Sequence, residues 1–283
     1  MLTDAHCHPF DLKDVLPDAE EERRRLGVFC AASASSSQEF MYNEDLSHRA
    51  FSDKASGILP CFAIHPQLPA VKINSENKTD NELKCGLEAD LETLENFAAS
   101  GRLAAVGETG FDLYDAAFRE TEAIQDELFA AHLETALRHE LPVIIHVRRA
   151  MHKVFAAAKV LVKCKSVIFH SWPGTIDEGE ALLKRGVNAY FSFGAVIMLN
   201  HKKAMRCAAL FPAEKLLTET DAPYQAPRNQ EFSCWTDLPR IVESIAALRR
   251  DADSSCANTE ELESRIESNF RAAFFKRSLF PGV

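Results

Sequence analysis

Nowhere in the 283-residue chain is there an apolar run long enough to cross a bilayer, which takes about 20 consecutive apolar residues. The start of the chain lacks the basic stretch and apolar run of a secretory leader; Asp4 and Asp11 stand there instead. A cytoplasmic location is the expectation. The eight cysteines, at positions 7, 30, 61, 85, 164, 207, 234 and 256, include no C-x-x-C pair. This argues against zinc-finger use, and thiols scattered through a chain of this size read as reduced rather than as a disulfide framework. Positive charge is in deficit, with a net charge of −10. A broad basic surface for nucleic acid is therefore not expected, although bound cations can still make a local positive site. No internal repeat, charge block or composition break interrupts the sequence. What remains is a chain that is 46% apolar, enough for a large core, and residues 1–283 read as one domain.

Short apolar runs alternate with helix-like segments. Strands are predicted at 2–6, 28–32, 58–64, 103–107, 143–146, 167–170, 189–193 and 216–218. The clearest helix is 120–140, where Ile124, Leu128, Ala131 and Thr135 recur at helical spacing. Others fall at 38–51, 88–99, 151–162, 176–185 and 202–210, with closing helices over 237–280. The polar stretch 74–84 reads as a loop, and 33–37 as a Ser-rich turn. Eight strands alternating with helices point to an α/β fold, a TIM (β/α)8 barrel, rather than an open doubly wound sheet.

In "TDAHCHPF", residues 3–10, His6 and His8 are two apart. On a strand they would face the same side and could reach one metal ion. His-x-His alone is equally compatible with a solvated strand end, so the reading depends on further ligands. A barrel collects its functional residues at the C-terminal ends of its strands. There the sequence has His65 in "AIHP", Glu108 in "AAVGETGFD", His146 in "PVIIHVRR", His170 in "VIFHSWPG" and Asp221 in "LLTETDAPY". Imidazole with carboxylate suits zinc, manganese, iron or nickel, whereas pure oxygen sites suit magnesium or calcium. His6, His8, Glu108, His146, His170 and Asp221 are too many for one catalytic ion that keeps a water. They fit two ions about 3.5–4 Å apart, with Glu108, between the two groups of histidines, as the bridge.

Taken together, "DAHCH", "AIHP", "VGETGFD", "PVIIHVRRA", "FHSWPG" and "LLTETDAPYQAP", running in order from residue 4 to residue 227, resemble the TatD family of metal-dependent hydrolases. The resemblance implies a TIM barrel and deoxyribonuclease activity. It carries the metal ligands onto His6, His8, Glu108, His146, His170 and Asp221, and puts His65 and Arg148 near the substrate phosphate. Two features depart from the family. Val147, Arg148 and Arg149 follow the fifth-strand histidine, where the family usually has Ser, then Arg-Asp. The loop after the eighth strand is short, with Arg228 and Asn229 standing in for a longer loop rich in Arg, Gly, Lys and Asn.

The expected enzyme holds one or two divalent ions (Zn, Mn, Mg, Ni or Fe). Asp221 takes the proton of the attacking water, Glu108 bridges the ions, and Arg148 and His65 bind the phosphate. The expected substrate is DNA, single-stranded or at strand ends, with no membrane and no obligate protein partner. A metal-dependent ester or amide hydrolase of the same barrel, such as an aminoacyl-tRNA deacylase, is the alternative. A non-catalytic nucleic-acid-binding or scaffold protein with a retained metal site is another. Asp4 reads as orienting a histidine or a backbone group near the site, or as forming a turn, and Glu219 as bonding a ligand histidine or as structural. Asp112 reads as a cap on a Gly-flanked turn. Trp172 reads either as a nucleobase platform or as packing. His48, His132, His139, His152 and His201 read as surface or packing residues.

Overall fold

A computed structural model of the protein describes residues 1–50, 56–76 and 80–275. Eight parallel strands follow one another in chain order: Thr3–Cys7 (β1), Phe29–Ala32 (β2), Gly57–Phe62 (β3), Ala105–Asp112 (β4), Val143–Arg148 (β5), Val167–Phe169 (β6), Ala189–Phe193 (β7) and Leu216–Thr218 (β8). Between β8 and β1 the seam is closed by individual bonds. Thr218 Oγ1 donates to Thr3 O (2.9 Å), Asp221 N to His6 O (3.0 Å) and His8 N to Ala222 O (2.8 Å). Asp4 accepts from Thr220 N at 3.0 Å and from Thr220 Oγ1 at 2.6 Å. The fold is the expected (β/α)8 barrel. Among the described residues no helix is long and apolar enough to cross a membrane.

Each strand sends one buried residue into a common interior cluster: Ala5, Ala31, Cys61 and Ala105, then Ile144, Ile168, Tyr190 and Leu217. The first four are small and the last four large. Phe270 and Phe274 of the last helix, Thr259–Phe274, complete the cluster. That helix closes the N-terminal end of the barrel, where Ser166 Oγ, just before β6, donates to Ala273 O. A second, larger core lies between the strands and the surrounding helices and includes Val106, Val143, Val167, Phe191 and Phe211. The lower end and the walls are thus apolar and fixed, leaving the C-terminal mouth for polar groups.

Several boundaries differ from the sequence reading. The 74–84 segment is not a plain loop: helices Leu68–Glu76 and Asp80–Ala99 enter it from both sides, and 77–79 lie outside the described residues. Leu83 and Leu87, four apart on one helical face, are buried with Ile64 and Leu128 and carry the helix through a polar sequence. The 120–140 helix is Glu122–Arg138, preceded by a short turn of helix at Ala116–Glu120. The 151–162 helix divides into Met151–Ala156 and Ala158–Leu161. Helices Pro9–Val15 and Ala19–Leu26 were not anticipated, the second being mostly charged and without a regular apolar stripe. The closing helices are Leu238–Asp251 and Thr259–Phe274; residues 51 and 276–280 of the predicted segments lie outside the described ones.

Candidate metal centre

Six strand-end side chains meet at the C-terminal mouth. His6 comes from β1 and His8 from the start of the following helix; Glu108 and His146 lie on β4 and β5. His170 directly follows β6, and Asp221 follows β8. The sequence of β4 shows how Glu108 is aimed. Its pairing with β5 shifts register between Val106 and Thr109, as a bulge does when it re-aims a side chain. Two glycines allow the close approach. A Cβ on Gly107 would stand 2.5 Å from Ile144 Cβ, and one on Gly110 (φ +134°) 2.0 Å from His146 O. Asp221 itself sits at φ +55°, a left-handed conformation that aspartate tolerates better than most residues.

Glu108 lies between two sets of nitrogen donors. Its Oε1 is 2.7 Å from His146 Nδ1 and 3.2 Å from His170 Nε2. Its Oε2 is 3.2 Å from His6 Nε2, 3.9 Å from His8 Nε2 and 3.5 Å from His65 Nε2. Asp221 Oδ1 is 3.4 Å from Nε2 of both His6 and His8, and those two nitrogens are 3.1 Å apart. The groups His6–His8–Asp221, His6–Glu108–His170 and His65–Glu108–His146 each bring ligand atoms within 4.8 Å of one another. Donors of this type at this spacing fit divalent ions. His65, expected at the substrate, is closer to Glu108 than His8 is, at 3.5 Å against 3.9 Å.

The electrostatics follow from burial and from these contacts. Burial opposes the Glu108 charge, yet His170, His6 and His65 outweigh it and hold the carboxyl well below its usual range. Asp221 is likewise held far down against burial by His170, His6 and His8. His146 is buried, but Asp112 and Glu108 raise it to about 9. For His65 burial prevails over Glu108 and lowers its pKa, favouring the neutral ring. His65 Nδ1 accepts Gln67 N–H at 3.2 Å, so the proton sits on Nε2, facing Glu108.

Behind these groups lies an outer layer that was only partly legible. Ser33 Oγ meets His6 Nδ1 at 3.0 Å. Glu219, buried, places Oε1 3.3 Å from His170 Nδ1 and accepts Ser171 N–H at 2.8 Å. Asp4 accepts His6 N–H as well as the Thr220 donors, which assigns it to the seam. Asp112 does more than cap a turn. It ends β4, and its Oδ2 lies 3.2 Å from His146 Nε2, 3.4 Å from Arg148 Nη1 and 2.7 Å from Gln67 Nε2. Burial opposes its charge, but His146 and Gln67 bring it down to about 2. Gln225, for which no role was expected, donates to Asp221 Oδ2 and Ser171 Oγ, both at 2.6 Å. His132 is buried beneath the site, its Nδ1 2.6 Å from Thr109 Oγ1 and its Nε2 accepting Ile64 N–H at 3.2 Å. Trp172 is buried against Phe169, Phe191 and Phe211; it is a packing residue rather than a free platform.

A cavity of about 890 Å³ opens over the cluster, lined by His8, His65, Glu108, His146, Arg148, His170, Asp221 and Tyr224 among others. Arg228 and Asn229 are exposed and do not line it. A family model described as "TatD related DNase" matches residues 3–275.

The chain belongs to the TatD family.

This TatD-family chain is 32% identical over 194 residues to the "3'-5' ssDNA/RNA exonuclease TatD" of Pantoea vagans, a match covering 64% of this chain and 70% of the relative. It is 28% identical over 285 residues to the "Uncharacterized metal-dependent hydrolase YcfH" of Escherichia coli K12, over 96% and 95% of the two chains. The solved structure of YjjV, a TatD homologue from Escherichia coli K12, superposes with a TM-score of 0.76 at 22% identity, over 96% of this chain and 97% of that one. At that identity the likeness supports the fold. By family the protein is a metal-dependent hydrolase of ester bonds.

Proposed function

We propose that the protein is a phosphodiesterase that trims single-stranded nucleic acid, DNA foremost, from strand ends. The observation that carries this reading is Glu108, whose two oxygens face separate imidazole groups. His6, His8 and Asp221 with Glu108 Oε2 would hold one divalent ion (Zn, Mn, Mg, Ni or Fe), and His146 and His170 with Glu108 Oε1 a second. When bound, such ions supply Lewis acidity that acidifies a water and neutralises charge on a phosphate. Asp221, ionised and steadied by Gln225, is the group to receive the water's proton. His65 presents its Nε2–H, and Arg148 an exposed guanidinium at the cavity wall. Both donate to phosphate oxygens, and guanidinium forks match phosphate geometry. A net charge of −10 suits brief contact with strand ends better than wrapping a duplex. The name of the Pantoea vagans relative, an exonuclease of single strands, supports the same substrate.

The test is turnover of single-stranded DNA and RNA against a panel of carboxylic esters, after chelation and metal add-back. Metal-restored release of nucleotides from the single strands is expected. Ester turnover with none on nucleic acid would refute the reading.

A further inference from the structure

Beside the cavity, three guanidiniums gather round one tyrosine. The guanidinium carbon of Arg148 lies 4.1 Å from the centroid of the Tyr114 ring and that of Arg149 4.4 Å from it. Arg149 Nη1 donates to Tyr114 O at 3.3 Å; Arg119 Nη1 donates to the same oxygen at 3.1 Å and to Leu113 O at 3.3 Å. Tyr114 is 46% exposed, and all three arginines are exposed at the surface. Arg148 has a carboxylate nearby, Asp112. Among the described residues, Arg119 and Arg149 meet backbone carbonyls and the ring rather than carboxylates.

Three like charges brought together from the turn of helix after β4 and from the end of β5 repel one another, and in a chain of net charge −10 acidic partners are plentiful elsewhere. A guanidinium has five N–H donors, so the single carbonyl bond of Arg149 fixes its position and leaves most of its fork facing outward. The cluster is continuous with the reaction site. Asp112 Oδ2 touches both His146 and Arg148, and Arg149 is the next residue along the chain. A polynucleotide with one phosphate at Glu108 would therefore carry another past Tyr114.

We propose that Arg119 and Arg149, brought together at the Tyr114 carbonyl, form a second phosphate subsite for single-stranded nucleic acid, which makes the enzyme prefer oligonucleotides to small phosphodiesters. The subsite rests on the nuclease reading above. Arg149 occupies a position where the resemblance leads one to expect aspartate, so the charge reversal belongs to this chain.

The test compares the parent, Arg149→Gln, Arg149→Lys and Arg119→Gln/Arg149→Gln. Each is assayed with metal restored, on a short oligo(dT) and on bis(p-nitrophenyl) phosphate, at several salt concentrations. In the double variant the ratio of kcat/KM for oligo(dT) over that for the small diester should fall about tenfold, through KM, as expected for losing charge-assisted bonds. The dependence of log(1/KM) for oligo(dT) on log salt should flatten by about 0.7 for each phosphate that is no longer neutralised. Arg149→Lys should keep most of the salt dependence. Where the double variant does not fold, the single exposed substitutions give the answer. An unchanged ratio and slope in a folded variant would overturn the subsite. So would an equal loss on both substrates, which would make the arginines braces for the loop. A parent that turns over neither substrate would instead overturn the nuclease reading, and the subsite with it.

Discussion

Oε1 of Glu108 lies 2.7 Å from Nδ1 of His146, while Oε2 of the same carboxylate faces His6 at 3.2 Å. One side chain thus spans the two halves of the centre, and the first half of the barrel is tied to the second through it. The surrounding layer is arranged to keep both halves fixed: Ser33 behind His6, Glu219 behind His170, Asp112 behind His146 and Gln225 behind Asp221.

Arg148→Ala should weaken substrate use without changing metal content. Its guanidinium reaches the cavity but touches no proposed ligand directly. Loss of a charge-assisted bond to phosphate is worth about 1.5–3 kcal/mol, or roughly a 10- to 100-fold fall in kcat/KM. Steady-state kinetics on single-stranded DNA, with metal analysis of the same preparation, checks this. Equal turnover in variant and parent would remove Arg148 from the substrate site.

Glu219→Gln should lower metal affinity. The carboxylate lies buried 3.3 Å behind Nδ1 of His170, whose Nε2 is proposed to bind metal. Changes of this kind typically cost about 10- to 100-fold in affinity. Competition against a fluorescent chelator measures it, and circular dichroism confirms the fold. Parental affinity in a folded variant would make Glu219 only a partner of Ser171.

His132 should make stability fall in acid. Burial pushes its pKa down to about 3 from the ordinary 6.5. Between those values the unfolded chain binds a proton and the folded one does not. The contribution is full above the unfolded pKa and is lost as pH falls towards the folded one, by up to ~1.4 kcal/mol per pH unit. His132→Asn retains a donor for Thr109 but loses the acceptor for Ile64 N–H, so it lowers stability overall. Its stability should nonetheless vary less steeply with pH. Urea midpoints across the acid range, taken without added metal, give both slopes; identical slopes would contradict the assignment.

The barrel and the strand-end histidines were legible because each ends an apolar run, and β7 and β8 have the predicted bounds. The sequence points to Asp112 as a turn cap, which it is, but not to its contact with His146, because the apolar signal stops at Gly107 and "GETGFD" reads as a turn, whereas β4 continues to Asp112. The alternation of Glu108, Gly110 and Asp112 was the available signal. Other assignments depended on contacts far apart in sequence. His132 meets β4 and the segment after β3, Trp172 meets Phe211, and Asp4 meets Thr220. Periodicity along one segment does not reveal such partners. The charged helix Ala19–Leu26 carried no regular apolar stripe to mark it.

Replacement of Glu108 tests the two-ion centre most directly. Metal content, thermal unfolding and turnover of single-stranded DNA should be measured on the same preparations of parent and Glu108→Ala, after chelation and metal add-back. The parent should hold two ions per chain and release nucleotides. The variant should remain folded, since the mouth adds little to the barrel core, while losing ions and all measurable turnover; its melting temperature should no longer rise with added metal as the parent's does. A folded Glu108→Ala protein that keeps two ions and parental turnover would contradict the bridging role and the mechanism built on it.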